Sequence, residues 1–155
     1  MNPSETHNPP AGYASGFTPE SMLAMFRERS VRASPFTAML GIELLRCWGG
    51  ESELLLPVRA ELQQHHGTVH GGVLGVVVDN ACGWAAASVA GPLVTAHYAV
   101  HLLAPARGER LRAVGRLIRA GQRSAVAAAD VFAEAQGQAP KLVASGMASF
   151  AVLDK

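Results

Sequence analysis

The sequence predicts an α+β domain in which an antiparallel sheet of about five to six strands wraps one long apolar helix. Residues 71–90 are apolar apart from one carboxylate and a few small polar groups, and Gly91-Pro92 ends this run firmly. Two strand-like runs precede the helix and four follow it, with short turns between them. A helix that is apolar on all sides has to be enclosed by its own protein, and one helix against a large sheet forms a two-layer α+β arrangement.

The N-terminal part of the chain is expected to hold a leader and a short helix. Residues 1–16 are rich in Pro, Asn, Ser and Gly and lack a secretory signal pattern, so we expect a disordered leader ahead of one domain over residues 17–155. Thr18-Pro19 predicts a helix start because Thr caps and Pro fits the first helical position. Residues 21–29 then form a short amphipathic helix, which Ser34-Pro35 is expected to break.

Strands are predicted wherever β-type runs lie between Gly- or Pro-containing turns. The Ala-rich run 125–129 is ambiguous by propensity, but the short turns at Gly121-Gln122 and at 136–138 favour an antiparallel meander. Two strands precede the helix and four follow it, at residues 42–48, 51–58, 93–103, 111–120, 124–134 and 142–153.

Composition narrows the function classes. The net charge of +1 gives no case for a nucleic-acid or membrane-surface partner. Residues 73–90 are long enough to span a membrane, but they contain Asp79, Asn80 and Ser88 and no Lys or Arg cluster flanks them, which favours a core helix. Cys47 and Cys82 lie in apolar surroundings without CxxC spacing, so we expect buried thiols in a reducing compartment and a cytoplasmic location.

One segment of the long helix carries the chemistry. Asp79 is the only charged residue of the helix, and an isolated carboxylate there is costly unless it has a partner or a task. Gly71-Gly72 begins the helix, where bare N–H groups and the helix dipole favour negative charge. One end of the segment can therefore hold an anion while its middle carries a base or nucleophile, which indicates acyl transfer.

These residues resemble those of hotdog-fold acyl-CoA thioesterases, with the phenylacetate-pathway branch as the closest type. The resemblance rests on His70-Gly71-Gly72, on Asp79 nine positions after His70, and on the four trailing strands, and it covers roughly residues 36–153. It implies that Asp79 is the nucleophile or general base and that the backbone N–H of Gly71 forms the oxyanion hole. It also implies no metal and no prosthetic group, and a homodimer or a dimer of dimers.

The same resemblance suggests further site residues. Gln64, fifteen residues before Asp79, matches an amide that positions the thioester, and Thr95, ten residues before Pro105, matches a hydroxyl that orients the attacking water. His70 is a candidate catalytic residue, although it is expected chiefly to hold the loop through a hydrogen bond.

Further residues are candidates for binding the substrate. Arg119 and Arg123 bracket a turn with Ser124 beside them, and the phosphates of coenzyme A need cations at the pocket mouth. Gly72 is a fourth candidate for substrate binding.

Physical chemistry supports thioester hydrolysis and points to two subunits. A thiolate leaves without strong acid help, so the site needs only an activated water or a carboxylate nucleophile, together with stabilisation of the oxyanion. Gly71 and Asp79 are eight residues apart, which is about 12 Å along one helix, whereas the reacting carbon must lie about 3 Å from both groups. A two-fold dimer solves this by joining the start of one helix to the middle of the other. Gly75, Gly83 and Ala86 are expected to let the second surface approach.

The leading prediction is hydrolysis of a small aryl or medium-chain acyl-CoA, with Val73, Val76, Val77 and Trp84 as candidate acyl-pocket residues. An enoyl thioester hydratase is one alternative. It would require an Asp-x4-His dyad, but Trp84 stands five positions after Asp79. A non-catalytic acyl-CoA sensor is the other. It would require a DNA-binding segment, for which the 30 N-terminal residues are too short.

Overall fold

The structure is a computed structural model that describes residues 16–153. One six-stranded antiparallel sheet, with strand order β1-β2-β4-β5-β6-β3, wraps the central helix α3, which confirms the predicted α+β architecture. The leader predicted for residues 1–16 lies outside the described residues except for its last position. The elements are α1 (Pro19–Phe26), a π-helical segment (Arg27–Arg32), α2 (Pro35–Leu40), β1 (Glu43–Trp48), β2 (Glu51–Pro57), a 3₁₀ turn (Ala60–Leu62), α3 (Gly71–Ala90), β3 (Leu93–Leu102), β4 (Arg110–Ala120), β5 (Ser124–Glu134) and β6 (Lys141–Val152).

Each of the first two helices begins with a hydroxyl-bearing N-cap residue followed by a proline. The Thr18 side chain accepts a hydrogen bond from the backbone N–H of Ser21 at 3.2 Å, with Pro19 at the first helical position, as predicted. Ser34-Pro35 was expected only to break a helix, but Ser34 caps α2 in the same way, accepting from the N–H of Thr37. Proline lacks an N–H that the first turn would leave unsatisfied anyway, so the pair that ends one helix begins the next.

Helix α3 lies inside the curve of the sheet. Val77, Val78 and Cys82 are fully buried, and the helix spans Gly71–Ala90, the bounds that the apolar run predicts. By length and composition it could cross a membrane, but 67% of its most apolar window is buried within the protein, as in the core helix of a globular fold. The sheet approaches the helix closely at Gly146, where an added Cβ would lie 2.7 Å from Cγ1 of Val78.

The small residues of α3 face the sheet of the same chain. A Cβ at Gly75 would lie 3.4 Å from the Tyr98 ring of β3, and one at Gly83 would lie 3.6 Å from the Phe150 ring of β6. Ala86 is fully buried. The expectation that these residues admit a second subunit was therefore wrong for Gly75 and Ala86, because strands that the sequence places far away already fill the space. Gly83 is half-buried and lines a cavity beside Asp79.

Both cysteines are buried thiols without a disulfide, as predicted. Burial raises the pKa of Cys47 and of Cys82 to about 12. The Cys47 thiol donates to the carbonyl oxygen of Trp84 at 3.4 Å, which ties β1 to the helix. With pKa values this high, neither thiol supplies a nucleophilic thiolate at neutral pH.

Among the described residues, strand β3 forms one edge of the sheet and pairs only with β6. Its ladder shifts register between Thr95 and His97, a bulge at the point where the strand passes Asp79. Large apolar side chains of β3 and of the residue after it are about half exposed: Val94 (50%), Tyr98 (45%), Leu102 (56%) and Leu103 (53%). An edge with unpaired backbone groups and exposed apolar side chains is suited to pairing with another strand.

Candidate active site

Asp79 projects from the middle of α3 toward the beginning of β3. The Thr95 hydroxyl donates a hydrogen bond to Oδ1 of Asp79 at 2.9 Å, so the structure brings together two of the predicted site residues. Burial raises the pKa of the Asp79 carboxyl, and the hydrogen bond from Thr95 offsets part of this rise. A carboxylate that burial makes more basic, yet which keeps one oriented hydrogen bond, is suited to accept a proton from water.

The Asp79 cavity, a space of about 360 Å³, opens in front of this carboxylate. Its walls are largely apolar, with Phe26, Trp84 and Phe150 as the aromatic side chains, and α1 and the π-helical segment close one side. Asn80 lies beside the carboxylate. The lining residues are Met25, Phe26, Arg29, Ser30, Asp79, Asn80, Gly83, Trp84, Ala87, Gly91, Pro92, Leu93, Thr95, Phe150 and Leu153.

The start of α3 leaves one backbone donor available. His70 is the N-cap, and its Nδ1 accepts a hydrogen bond from the N–H of Gly72 at 3.0 Å. This is the loop-holding role that the sequence suggested for His70. The N–H of Gly71 donates no hydrogen bond within the described residues 16–153. A free amide at a helix N-terminus, where the dipole is positive, can stabilise an oxyanion.

The Gly71 cavity, about 450 Å³, lies next to this amide. The Gln64 side-chain amide donates to the Thr68 hydroxyl at 2.8 Å, which orients it beside the helix start and leaves its second N–H for another acceptor. Arg107 donates to the carbonyl oxygens of His66 and Gly67. The lining residues are Gln64, His66, Thr68, Val69, Gly71, Leu74, Leu102, Leu103, Ala104, Pro105, Ala106 and Arg107.

The two cavities of one chain share no lining residue. Asp79 and Thr95 line the first, whereas Gly71 and Gln64 line the second. One chain therefore presents the candidate base and the candidate oxyanion donor in separate places, as the spacing along the helix predicts.

The predicted substrate-binding residues Arg119, Arg123, Ser124 and Gly72 do not line either cavity. Arg119 is the next-to-last residue of β4, and Arg123 and Ser124 lie across the following turn, while Gly72 is exposed at the start of α3. The backbone N–H of Val152 donates to the carbonyl oxygen of Arg123, which places this turn near the Leu153 end of the Asp79 cavity.

Sequence reasoning missed several residues that line the cavities. The basic residues that line them are Arg29 and Arg107. Arg29 occurs in a charged stretch and Arg107 in a loop, and no local sequence pattern indicated that either residue would line a cavity. Of the predicted acyl-pocket residues, Trp84 lines the Asp79 cavity, but Val73, Val76 and Val77 do not. Met25 and Phe26 of α1 contribute instead, which only the packing of α1 reveals.

Within residues 16–153 no three His, Cys, Asp or Glu side chains come close enough to share a metal ion. The polar groups that border the two cavities include the Asp79 carboxylate, the Thr95 hydroxyl, the Gln64 amide and the backbone amide of Gly71.

A long helix wrapped by a six-stranded antiparallel sheet, with a carboxylate in its middle and a free amide at its start, defines a hotdog-fold protein of the thioesterase class. Residues 66–139 match the family model of the Thioesterase superfamily. A Halobacterium salinarum protein named "Putative esterase" is 34% identical in a 125-residue alignment that covers 74% of this chain and 82% of that protein. The chain belongs to the thioesterase superfamily.

Solved structures agree with this assignment. A thioesterase family protein from Silicibacter pomeroyi is 30% identical with a TM-score of 0.80, over 86% of this chain and 99% of that one. A mutant of the phenylacetic acid degradation protein PaaI from Thermus thermophilus is 29% identical with a TM-score of 0.70, over 77% of this chain and 100% of that one. The resemblance to the phenylacetate-pathway branch is thereby confirmed.

Proposed function

We propose that this protein hydrolyses acyl-CoA thioesters to the free acid and coenzyme A, with a small aryl or medium-chain acyl group. The observation that carries the proposal is the Asp79–Thr95 pair inside a largely apolar cavity of about 360 Å³. A cavity of this size is at the small end of ligand pockets, which suits a compact acyl group.

The proposed reaction needs only groups that the chain supplies. Asp79 removes a proton from water as the oxygen attacks the thioester carbon, or attacks that carbon itself to form an anhydride that water then hydrolyses. The carbonyl π electrons move to oxygen, and the Gly71 N–H stabilises the resulting oxyanion. The oxyanion then collapses, the C–S bond breaks, and coenzyme A leaves as a thiolate.

A dimer formed along β3 would complete the site. Thr95, near the start of β3, lines the Asp79 cavity, whereas Leu102 at its end lines the Gly71 cavity. Antiparallel pairing of β3 with its own copy would set the start of one strand beside the end of the other. The Asp79 cavity of each subunit would then meet the Gly71 cavity of its partner. The exposed apolar side chains of this edge support such pairing. We also propose that two such dimers form a dimer of dimers and that the protein is located in the cytoplasm.

The remaining site residues have supporting roles. Thr95 holds Asp79 and orients the water, and Gln64 donates its free N–H to the thioester carbonyl. His70 fixes the helix start by accepting from the N–H of Gly72, which leaves the Gly71 amide available for the oxyanion.

Binding of the coenzyme A phosphates is assigned to cations outside the acyl cavity. Arg119 and Arg123, with Ser124, are the proposed contacts. Arg107 at the Gly71 cavity is a further cation for the same group.

The test is turnover of a panel of aryl, short, medium and long acyl-CoA thioesters, followed by release of the free thiol. We expect hydrolysis of at least one aryl or medium-chain thioester and its loss in Asp79→Asn. Binding of acyl-CoA without turnover across the whole panel would favour the sensor alternative.

A further inference from the structure

One cation lies in the Asp79 cavity and has no role in the chemistry described so far. Of the described residues that line this cavity, Arg29 is the single basic one and Asp79 the single acidic one. The other walls are mostly hydrocarbon, including Met25, Phe26 and Leu93. A cation at the mouth of a largely apolar cavity can bind a ligand group of opposite charge.

The three arginines of the π-helical segment differ in their partners. Arg27 donates through Nε to the carbonyl oxygen of Leu44 at 2.8 Å, and Arg32 forms an ion pair with Glu28 at 3.1 Å. The Arg29 side chain makes no hydrogen bond or ion pair within residues 16–153, not even with Asp79 across the cavity. Its guanidinium is therefore free for a ligand, while its neighbours are occupied by the protein.

The helix that carries Arg29 turns it toward the cavity. Met25 and Arg29, and likewise Phe26 and Ser30, are four residues apart and line the same space. This spacing is close to one helical turn, so all four side chains share one face across the junction between α1 and the π-helical segment. π-helical turns are rare and occur frequently at functional sites. Arg29 is exposed, which means that its charge reaches the cavity mouth without the cost of burial.

The charges at the Asp79 cavity limit which acyl groups can bind there. An acyl chain with an anionic end would be repelled by the ionised Asp79 unless a cation compensated for it. Arg29 supplies that cation, and its planar fork matches a carboxylate with two parallel hydrogen bonds. The large phosphate-bearing part of coenzyme A does not suit a largely apolar space of about 360 Å³.

We propose that Arg29 selects acyl groups that end in a carboxylate, so that the preferred substrate is a coenzyme A monothioester of a dicarboxylic acid. The apolar walls hold the methylene chain, Asp79 serves the thioester end and Arg29 binds the distal carboxylate. This inference rests on the proposed hydrolase function and names its substrate class.

The experiment compares two matched series of substrates. Succinyl-, glutaryl- and adipoyl-CoA carry a distal carboxylate, whereas butyryl-, valeryl- and hexanoyl-CoA have the same carbon numbers and no charge. We expect the wild type to prefer at least one dicarboxylic thioester over its counterpart by about tenfold or more in kcat/KM. Arg29→Met should lose about tenfold to a hundredfold on that substrate, chiefly through KM, and change little on the uncharged series.

Two further variants test whether the charge itself is responsible. Arg29→Lys should recover part of the preference because it keeps the cation but loses the bidentate fork. Arg32→Met removes a neighbouring arginine that pairs with Glu28 outside the cavity, and it should leave both series unchanged.

The failure of this inference differs from the failure of the proposed function. Equal losses on both series in Arg29→Met would place Arg29 on coenzyme A or in the fold, and would overturn the substrate assignment while hydrolysis stands. A wild type that shows no preference for any dicarboxylic thioester would overturn it as well. Hydrolysis of no thioester at all would overturn both proposals.

Discussion

The start and the middle of helix α3 supply the two halves of the proposed site by different physical means. At the start, Gly71 contributes a backbone N–H that stays free because a helix always leaves its first donors unpaired. In the middle, Asp79 contributes a side chain whose basicity depends on burial and on Thr95 from another element. The first half is thus a local property of a helix end, whereas the second depends on the tertiary environment. Substitutions should affect the two halves differently.

Loss of the carboxylate is the strongest way to break the middle half. Asp79→Asn keeps the size of the side chain and an oxygen that can accept from Thr95, but it removes the base. We expect turnover of the preferred thioester to fall by about a thousandfold or more. Circular dichroism and size-exclusion chromatography should show an unchanged fold and assembly. Turnover close to that of the wild type would remove Asp79 from the mechanism.

The contribution of the helix start can be tested by a substitution that removes the backbone N–H of Gly71. Gly71→Pro removes the N–H at a position that tolerates proline, because φ of Gly71 is not positive. We expect kcat to fall by on the order of a hundredfold. Gly71→Ala is the matched control: either residue adds a Cβ near Cδ1 of Leu102, but Ala keeps the donor. If the Ala and Pro variants lose activity equally, crowding by Leu102 and not the amide is responsible.

Mixing the two inactive proteins tests whether the halves come from different subunits. Heterodimers of Gly71→Pro and Asp79→Asn should contain one site with both defects and one intact site. Random exchange makes half of the dimers mixed, so about a quarter of all sites should recover activity. Native mass spectrometry reports the exchange. Mixed dimers with no more activity than the two parents would mean that each site is built within one chain.

Loss of the hydrogen bond from Thr95 should reduce activity less than loss of the Asp79 carboxylate or of the Gly71 N–H. Because this bond lowers the pKa of Asp79 against the effect of burial, Thr95→Val should raise that pKa further. The acidic limb of the kcat/KM profile should then move to higher pH, with about a tenfold loss of activity near neutral pH. Thr95→Ser retains the hydroxyl and should keep the wild-type profile. An unshifted limb in the Val variant would separate Thr95 from the ionisation of Asp79.

The smallest expected effect is on stability. Since the folded-state pKa of Asp79 is raised, the protonated carboxyl favours folding; that contribution is complete below the unfolded pKa and is lost as pH rises through the folded pKa. Near neutral pH, the melting temperature of Asp79→Asn should therefore lie roughly a few degrees above that of the wild type, because a small change in the free energy of unfolding shifts Tm by about that much. The difference in Tm should shrink as the pH falls toward the unfolded pKa of about 4. A difference that does not vary with pH would point to packing rather than ionisation.

Much of the fold could be predicted because its signals are local. The apolar run and the Gly91-Pro92 stop predicted α3 at its observed bounds, and short turns predicted the strands. The two errors near the N-terminus also have local causes. Ser34-Pro35 both ends one helix and begins α2, and no residue pattern indicated that α1 continues as a π-helix.

The candidate site was predictable only in part. Asp79 stood out because a lone charge in an apolar helix is costly, and its spacing from Gly71 implied two separate half-sites. The contact of Thr95 with Asp79 joins residues sixteen positions apart. The residue types alone did not imply that contact, which entered the sequence reasoning only through the family resemblance.

The sequence by itself determined the long helix, the strand order along the chain and the chemical identity of the two half-sites, because hydrophobic period, capping residues and helix termini act over a few residues. Only the tertiary structure decided which side chains share a cavity. It turned Gly75 and Gly83 toward the sheet of their own chain and placed Arg29 and Asp79 in the wall of one cavity. Arg119 and Arg123 do not line either cavity. These outcomes depend on how distant elements pack against one another, and close packing is a property of the whole core that no local pattern encodes.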